Sequence, residues 1–595
     1  MLLRPLLILL ALLVPAALAA PATAGFRGTN GQLAYEGRAS SSGLLVLRDS
    51  GGGRVRRLAA PGRPADPAFS PLGRRIAFTT RSEIWVMYED GTSVRQVTVG
   101  PEPSRDPTWS PEGDALAFTT GYAGDRELFA IGADGYGLRR LTGGSADDEA
   151  PAWSSRGRVA FVRTAERRDG DIWSLRAAGG ARRPLTAGRA DDRSPAWSPD
   201  GRRIVFTRLP VRSARKAGER PAGERVRELW VARADGSHER RLVRLRADVS
   251  APAWSPDGRR VAFAMGSARR RGVYVIRTDG RGLRRVAAGA AGARSLDWQP
   301  RGGDPVIAAA GDIACDPTEE RFATGLGTTN ACGMLQTSDL LMKMDLSAVL
   351  PLGDVQYEDG ALDKFQSSFD PTWGRLMSLM RPVVGNHEYR VPGAAGYFDY
   401  FNGVGAADGP AGPRDKGYYS YDLGQWHLVA LNSQCSHPTA DNPNRDDCLA
   451  GSPQEQWLRA DLAANPRRCT LAYWHHPALS SGLAGLNEAV QPLYRALVDN
   501  GVELLLTGHY HGYERFAPMD ADTNRDGARG VRQFVVGSGG KNHNTKTEPR
   551  LPNSEVRENG TFGALKLTLE PRRYAWQFMS VTGATFKDAG ANDCR

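Results

Sequence analysis

Five short blocks in the C-terminal half of this 595-residue chain carry side chains that do chemistry. They read Gly311-Asp-Ile-Ala314, Gly353-Asp-Val-Gln-Tyr357, Gly385-Asn-His-Glu388, Tyr473-Trp-His-His-Pro477 and Gly508-His-Tyr-His511. Each offers Asp, Asn, His or Tyr, mostly beside glycine, and most follow a short apolar run. Hard oxygen donors and imidazoles on loops at strand ends are what a two-metal hydrolytic site requires. A lone Asp after Gly is usually a turn, and a lone His is usually a surface or core residue. Five such blocks in order are poorly explained that way.

The elements that must position these blocks are legible from Pro305 onward. Apolar runs such as Val306-Ile-Ala-Ala-Ala, His427-Leu-Val-Ala-Leu and Leu504-Leu-Leu alternate with helix-like segments such as residues 453–463. That is an α/β layout, in which sites collect at the carboxyl ends of strands.

The N-terminal half has a different texture. A motif recurs from Asp66, Asp106, Ala150, Ser194 and Ala251, in forms such as Ser-Pro-Ala-Trp-Ser-Pro-Asp-Gly-Arg-Arg-Ile-Val-Phe. Its aromatic positions are Phe69, Trp109, Trp153, Trp197 and Trp254. The period, mostly about 40–44 residues, is that of propeller blades. Within each unit a strand ends at the aromatic residue, a Ser-Pro-Asp-Gly turn follows, and alternating strands complete the sheet. Gln32-Leu-Ala-Tyr starts a unit that lacks its Trp-Ser-Pro strand, and Ser295-Leu-Asp-Trp-Gln-Pro supplies that strand alone. The C-terminal piece is therefore expected to complete the first blade, giving six blades and no free sheet edge.

The repeats resemble the TolB-like propellers, and the five blocks together resemble the calcineurin-like metallophosphoesterases. The commonest first block of the latter is Asp-x-His. Here Ala314 stands at the histidine position, while Tyr357 lies three residues after Asp354. That exchange marks the purple acid phosphatase branch. The resemblance implies a first metal, Fe(III), held by Asp312, Tyr357 and His511. It implies a second, Zn, Mn or Fe(II), held by Asn386, His475 and His509, with Asp354 bridging both. It further implies hydrolysis of phosphomonoesters by a metal-bound hydroxide, with His387 protonating the leaving alkoxide. His475, two residues before Pro477, takes the ligand role, leaving His476 supporting or substrate-facing and a candidate catalytic residue that assists the leaving group with His387. Glu388 is expected either to orient His387 or to make a structural contact.

These readings give two domains: an all-β six-bladed propeller over 25–303, then an α/β metallophosphoesterase sandwich over 304–595. Residues 1–24 read as a secretory signal, with Arg4, an apolar stretch and a small-residue cleavage site. An exported chain with no membrane span is expected. All six cysteines follow residue 314, and the sequential pairing is expected because its first two bridges close short loops. Residues 25–303 carry 50 Lys+Arg against 31 Asp+Glu, and residues 304–595 carry 26 against 35. The basic half suits an anionic cell-wall polymer or a partner protein, with no specific nucleic acid; the plainer reading is a solvated, arginine-rich surface. An insertion with Arg212, Arg215, Lys216, Arg220 and Arg225 adds to that charge. Alternative functions are a cell-envelope scaffold and a phosphodiesterase acting on nucleotides. Finally, Asp520, Asp522, Asn524 and Asp526 have the spacing of a weak calcium loop, although Val531 replaces its distal glutamate, and a polar surface loop is the plainer reading.

Overall fold

The proline of every N-terminal repeat sits where a strand must bulge, because its ring nitrogen has no N–H to give to the ladder. Strand register shifts across Pro67, Pro107, Pro151, Pro195 and Pro252 alike. In three repeats the Trp fastens its sheet to the one before it. Nε1 of Trp109, Trp197 and Trp254 donates to the main-chain oxygen of Ala68, Ala152 and Ala196 respectively, at 3.0–3.1 Å. Each acceptor lies just before the aromatic position of the preceding repeat.

The structure is a computed structural model. It describes residues 26–595 apart from 38–43, 52, 123–124, 166–168, 211–225, 267–270, 289–294, 436–447, 484 and 545–547. The expected leader and the five basic residues of the insertion lie outside the described residues. Residues 29–301 form six sheets of four antiparallel strands. In the first, Leu296–Arg301 pairs with Thr29–Gly37, Trp298 facing Leu33, so the end of this half closes on its beginning.

The C-terminal half contains two mixed sheets. One has the order β2-β1-β10-β11-β12, with β1 Val306–Ala310, β2 Ala348–Pro351, β10 Gly563–Glu570, β11 Arg573–Ser580 and β12 Ala589–Asp593. The other has the order β3-β4-β5-β6-β8-β7-β9. Its strands are β3 Tyr419–Leu423, β4 Trp426–Ala430, β5 Thr470–Tyr473, β6 Leu504–Thr507, β7 Tyr513–Phe516, β8 Arg532–Val536 and β9 Ser554–Glu558. Strands β1 and β2 are parallel, as are β4, β5, β6 and β8. Both sheets feed one apolar core through Ile307, Leu350, Leu471, Leu504, Phe534 and Leu565. The helix expected at residue 453 spans Pro453–Ala464; the Ser452 side chain accepts from Glu455 N–H, and proline occupies the first turn. Cystines join Cys315–Cys332, Cys435–Cys448 and Cys469–Cys594, the sequential pairing. No helix among the described residues is long and apolar enough to cross a membrane.

The two halves meet around a buried carboxylate, that of Asp345. In the repeats with an intact Ser-Pro-Asp-Gly turn, the turn aspartate caps the serine: Ser198 Oγ donates to Asp200 and Ser255 Oγ to Asp257, each at 2.6 Å. The turn at Ser70 has Leu72 in that place. Asp345, just before β2, fills the role from the other half. It accepts from Ser70 Oγ at 3.1 Å and Leu72 N–H at 2.8 Å, and lies 3.5 Å from Arg75 Nε. Arg75 also donates to Met342 O and Gly113 O and stacks on Trp109. Lys343 pairs with Asp134 at 3.1 Å beside it. Asp345 precedes β2 and Asp354 follows it. At about 3.3 Å per strand residue, the four residues of β2 alone set the docking face on the order of 10 Å from the strand's carboxyl end.

Candidate metal centre

The glycines of the five blocks admit the side chains that follow them. A Cβ on Gly385 would lie 2.3 Å from Asp354 Oδ1, and one on Gly353 would lie 2.7 Å from the His475 ring. Asp312, Asp354 and His509 have φ of 60°, 47° and 67°. Left-handed backbone at a non-glycine residue costs on the order of 1–3 kcal/mol and persists where surroundings enforce it. Three such residues in one cleft are backbone strain concentrated at a single place.

Asp312 and Asp354 follow β1 and β2, while His475 and His509 follow β5 and β6, so both sheets present side chains from their carboxyl ends. Main-chain bonds knit the loops together: Gly311 N–H donates to Val536 O and Asp312 N–H to Gly353 O. Asp312, Asp354, Tyr357 and His475 are buried, while Asn386, His387, His509 and His511 are partly exposed.

Two groups of donors result. Around Tyr357 Oη stand Asp312 Oδ1 at 2.8 Å, His511 Nε2 at 3.0 Å and Asp354 Oδ2 at 3.1 Å, and His511 Nε2 is 3.2 Å from Asp312 Oδ1. Around His475 Nε2 stand His509 Nδ1 at 3.1 Å, Asn386 Oδ1 at 3.2 Å and Asp354 Oδ2 at 3.2 Å. Asp354 belongs to both. The seven residues singled out as ligands are thus brought together.

This arrangement fits a cation pair. His475 Nδ1 lies 2.8 Å from Leu352 O and must carry a proton to bond there. Its Nε2 lone pair then faces a carboxylate, an amide oxygen and another imidazole, which demands a positive charge. Burial opposes that charge, yet Asp354 prevails and raises the His475 imidazolium pKa to about 9. Burial, Asp312 and Asp354 hold the Tyr357 hydroxyl well above its usual range, and a cation would reverse that balance. Donors sharing one cation at about 2.0–2.2 Å sit roughly 3 Å apart, the spacing seen in both groups.

Glu388 does not orient His387. It is fully buried, and its carboxylate accepts four main-chain N–H groups: Asp354 at 3.0 Å, Val355 at 2.9 Å, Gln356 at 3.2 Å and Gly385 at 2.8 Å. Burial, then the Asp354 charge, push its carboxyl up to about 8. Cations beside Asp354 therefore favour the ionised form that four donors need. Glu388→Gln leaves donors unsatisfied and should lower metal affinity about 10–100-fold, read by metal content after dialysis against a chelator.

His387 is set differently. Its Nδ1 donates to Glu358 O at 2.6 Å, its ring packs 4.1 Å from that of Tyr357, and Arg390 Nη2 is 3.2 Å from its Nε2. Burial lowers its basicity. His476 is also buried, with Nδ1 3.0 Å from Ser433 Oγ.

Residues outside the five blocks complete the site. The Lys541 ammonium lies 4.9 Å from the Tyr357 ring centroid and pairs with Glu319 at 2.6 Å and Glu358 at 2.5 Å. Asn542 Oδ1 bonds His511 Nδ1. Both follow Val536-Gly-Ser-Gly-Gly, a glycine-rich stretch after an apolar strand like the other blocks, and that likeness was the available signal. Of the two readings of residues 520–526, the polar surface loop is the one the contacts favour. Asp520 and Asp526 cap local main-chain N–H groups, Asp522 pairs with Arg495, and the three acids are absent from the clusters of metal-ligating side chains among the described residues.

Residues 308–513 match the calcineurin-like phosphoesterase family, and residues 26–217 match the TolB beta propeller domain. Among curated relatives, Probable inactive purple acid phosphatase 9 of Arabidopsis thaliana is 26% identical over 275 residues, covering 38% of this chain and 40% of that protein. Purple acid phosphatase 21 of the same plant is 27% identical over 288 residues, covering 44% and 60%. The chain thus spans about half the length of these relatives. TolB from Acinetobacter baumannii aligns with a TM-score of 0.38 and 20% identity, over 46% of this chain and 67% of that one. The chain thus joins a segment that matches the TolB beta propeller domain to one that matches the calcineurin-like phosphoesterase family, and its curated relatives include purple acid phosphatases.

Proposed function

We propose that the protein is an exported binuclear-metal phosphomonoesterase whose propeller, a closed ring of six blades, serves as a docking module. The observation that carries this reading is the convergence of seven donors into two groups sharing Asp354. Asp312, Tyr357 and His511 would hold a ferric ion, which prefers carboxylate and phenolate oxygen. Asn386, His475 and His509 would hold Zn, Mn or Fe(II), which accept imidazole and amide. When bound, such a pair supplies a water acidic enough to act near neutral pH and a positive clamp for a phosphoryl group.

The chain's own groups do the rest. Asp354 keeps the two halves in register, and its Oδ1 accepts His387 N–H at 2.8 Å, which ties the acid to the centre. With Nδ1 committed to Glu358 O, Nε2 is the nitrogen from which His387 would pass a proton to the leaving oxygen, once Arg390 turns from it to the substrate and the ring is protonated. Arg390, half exposed at the rim beside that nitrogen, meets the anionic substrate.

Metal analysis together with turnover of an aryl phosphate tests this reading. Two metals per chain and a visible tyrosinate-to-iron band are expected. Tyr357→Phe should abolish that band, and a band that survives would refute the ligand assignment. His387→Ala should slow turnover about 10²–10⁴-fold with metal content unchanged. Metal-free protein with no turnover would favour the cell-envelope scaffold instead.

A further inference from the structure

Next to the divalent half of the site stands an imidazole that the reading above does not use. His476 is 8% exposed, and its ring centroid lies 4.5 Å from that of His509 and 4.9 Å from that of His475. One ligand nitrogen from each of these three histidines falls within 4.8 Å of the other two. Among the described residues this is the one cluster of three imidazoles.

Ser433 aims the ring. Its Oγ accepts His476 N–H at 2.9 Å and bonds His476 Nδ1 at 3.0 Å. Trp474 Nε1 donates to His476 O at 2.5 Å, which pins the same residue from the main-chain side. The Ser433 hydroxyl holds the ring in place, with a ligand nitrogen of His476 within 4.8 Å of those of His475 and His509, and a hydrogen bond to a metal-bound histidine orients it in the same way. Spacing agrees: two donors on opposite sides of one ion at about 2.1 Å each stand roughly 4.2 Å apart, inside the limit the cluster obeys.

We propose that His476 is a third imidazole ligand of the divalent ion, and that it makes this half of the centre select zinc over manganese. The proposal rests on the reading that a cation occupies this half at all. Its chemistry is direct. Asp354, Asn386, His475 and His509 alone balance two oxygens against two nitrogens. A third imidazole tips the set towards nitrogen, which suits zinc, whereas manganese favours carboxylate and water.

The test uses the full chain, stripped of metal, reloaded with iron, and titrated with Zn²⁺ and separately with Mn²⁺ against a competing chelator. Metal per chain is read by mass spectrometry. In His476→Ala, zinc affinity should fall at least about 10-fold, manganese affinity should fall less, and iron content with its visible band should persist. Ser433→Ala should weaken zinc binding in the same direction by a smaller factor. Melting of each metal-free variant reports folding; should His476→Ala fail to fold, His476→Gln, which keeps the volume of the side chain, takes its place. Unchanged zinc affinity and an unchanged zinc-to-manganese preference in a folded variant would overturn the proposal while leaving the two-metal reading intact. A wild-type chain that takes up iron but no divalent ion would overturn both.

Discussion

Asp354→Asn is expected to empty the centre and reduce phosphoester turnover by about 10³-fold or more. The reason is position as much as charge. One oxygen of Asp354 faces Tyr357 Oη at 3.1 Å and His475 Nε2 at 3.2 Å, while the other accepts His387 N–H at 2.8 Å. Asparagine keeps one acceptor and replaces the other with two donors, so either the cation side or the His387 anchor loses its oxygen. The shared negative charge disappears as well, just where two cations would sit. Several kcal/mol of transition-state stabilisation then go, and each 1.36 kcal/mol is about a factor of ten. Metal content and turnover should fall together. A variant that keeps two metals and wild-type turnover would show that Asp354 bridges nothing.

Asp345→Ala is expected to undo the docking of the two halves without harming the chemistry. Arg75 would stay buried without its carboxylate, and Ser70 Oγ and Leu72 N–H would lose their acceptor. Breaking one side of a buried pair costs about 3–5 kcal/mol. Removing both partners, as in Arg75→Met with Asp345→Leu, should cost less, since no orphaned charge remains. Faster proteolysis within residues 302–305 would report the loss. Turnover of a small aryl phosphate should change less than about twofold, because Asp345 and Asp354 stand at opposite ends of β2. A large fall in turnover at unchanged metal content would instead make the propeller part of the active site.

These expectations separate two kinds of legibility. The repeats could be read because each unit carries its own turn, its own bulge-forming proline and its own aromatic latch. The candidate ligands could be read because few residue types bind hard and borderline cations, and because most sit on a short loop just after an apolar strand. Even the tyrosine exchange is local, since Tyr357 is three positions from Asp354.

Glu388 was visible beside His387, yet its partners were not: it serves main-chain amides more than thirty positions away, around Asp354. Lys541 and Asn542 reach Tyr357 and His511 from another loop. Spacing suggested calcium at Asp520, but the carboxylates turned to local N–H groups and to Arg495. Asp345 is the sharpest case, an unremarkable residue before a strand that supplies the cap Leu72 cannot. By itself, then, the sequence determined the two fold types, the candidate ligands and the two short-loop cystines, because those depend on periodicity, residue chemistry and short loops. Only the tertiary structure decided which charges hold the ligands and how the halves dock, because those depend on contacts between residues far apart in the chain, and local pattern carries no record of them.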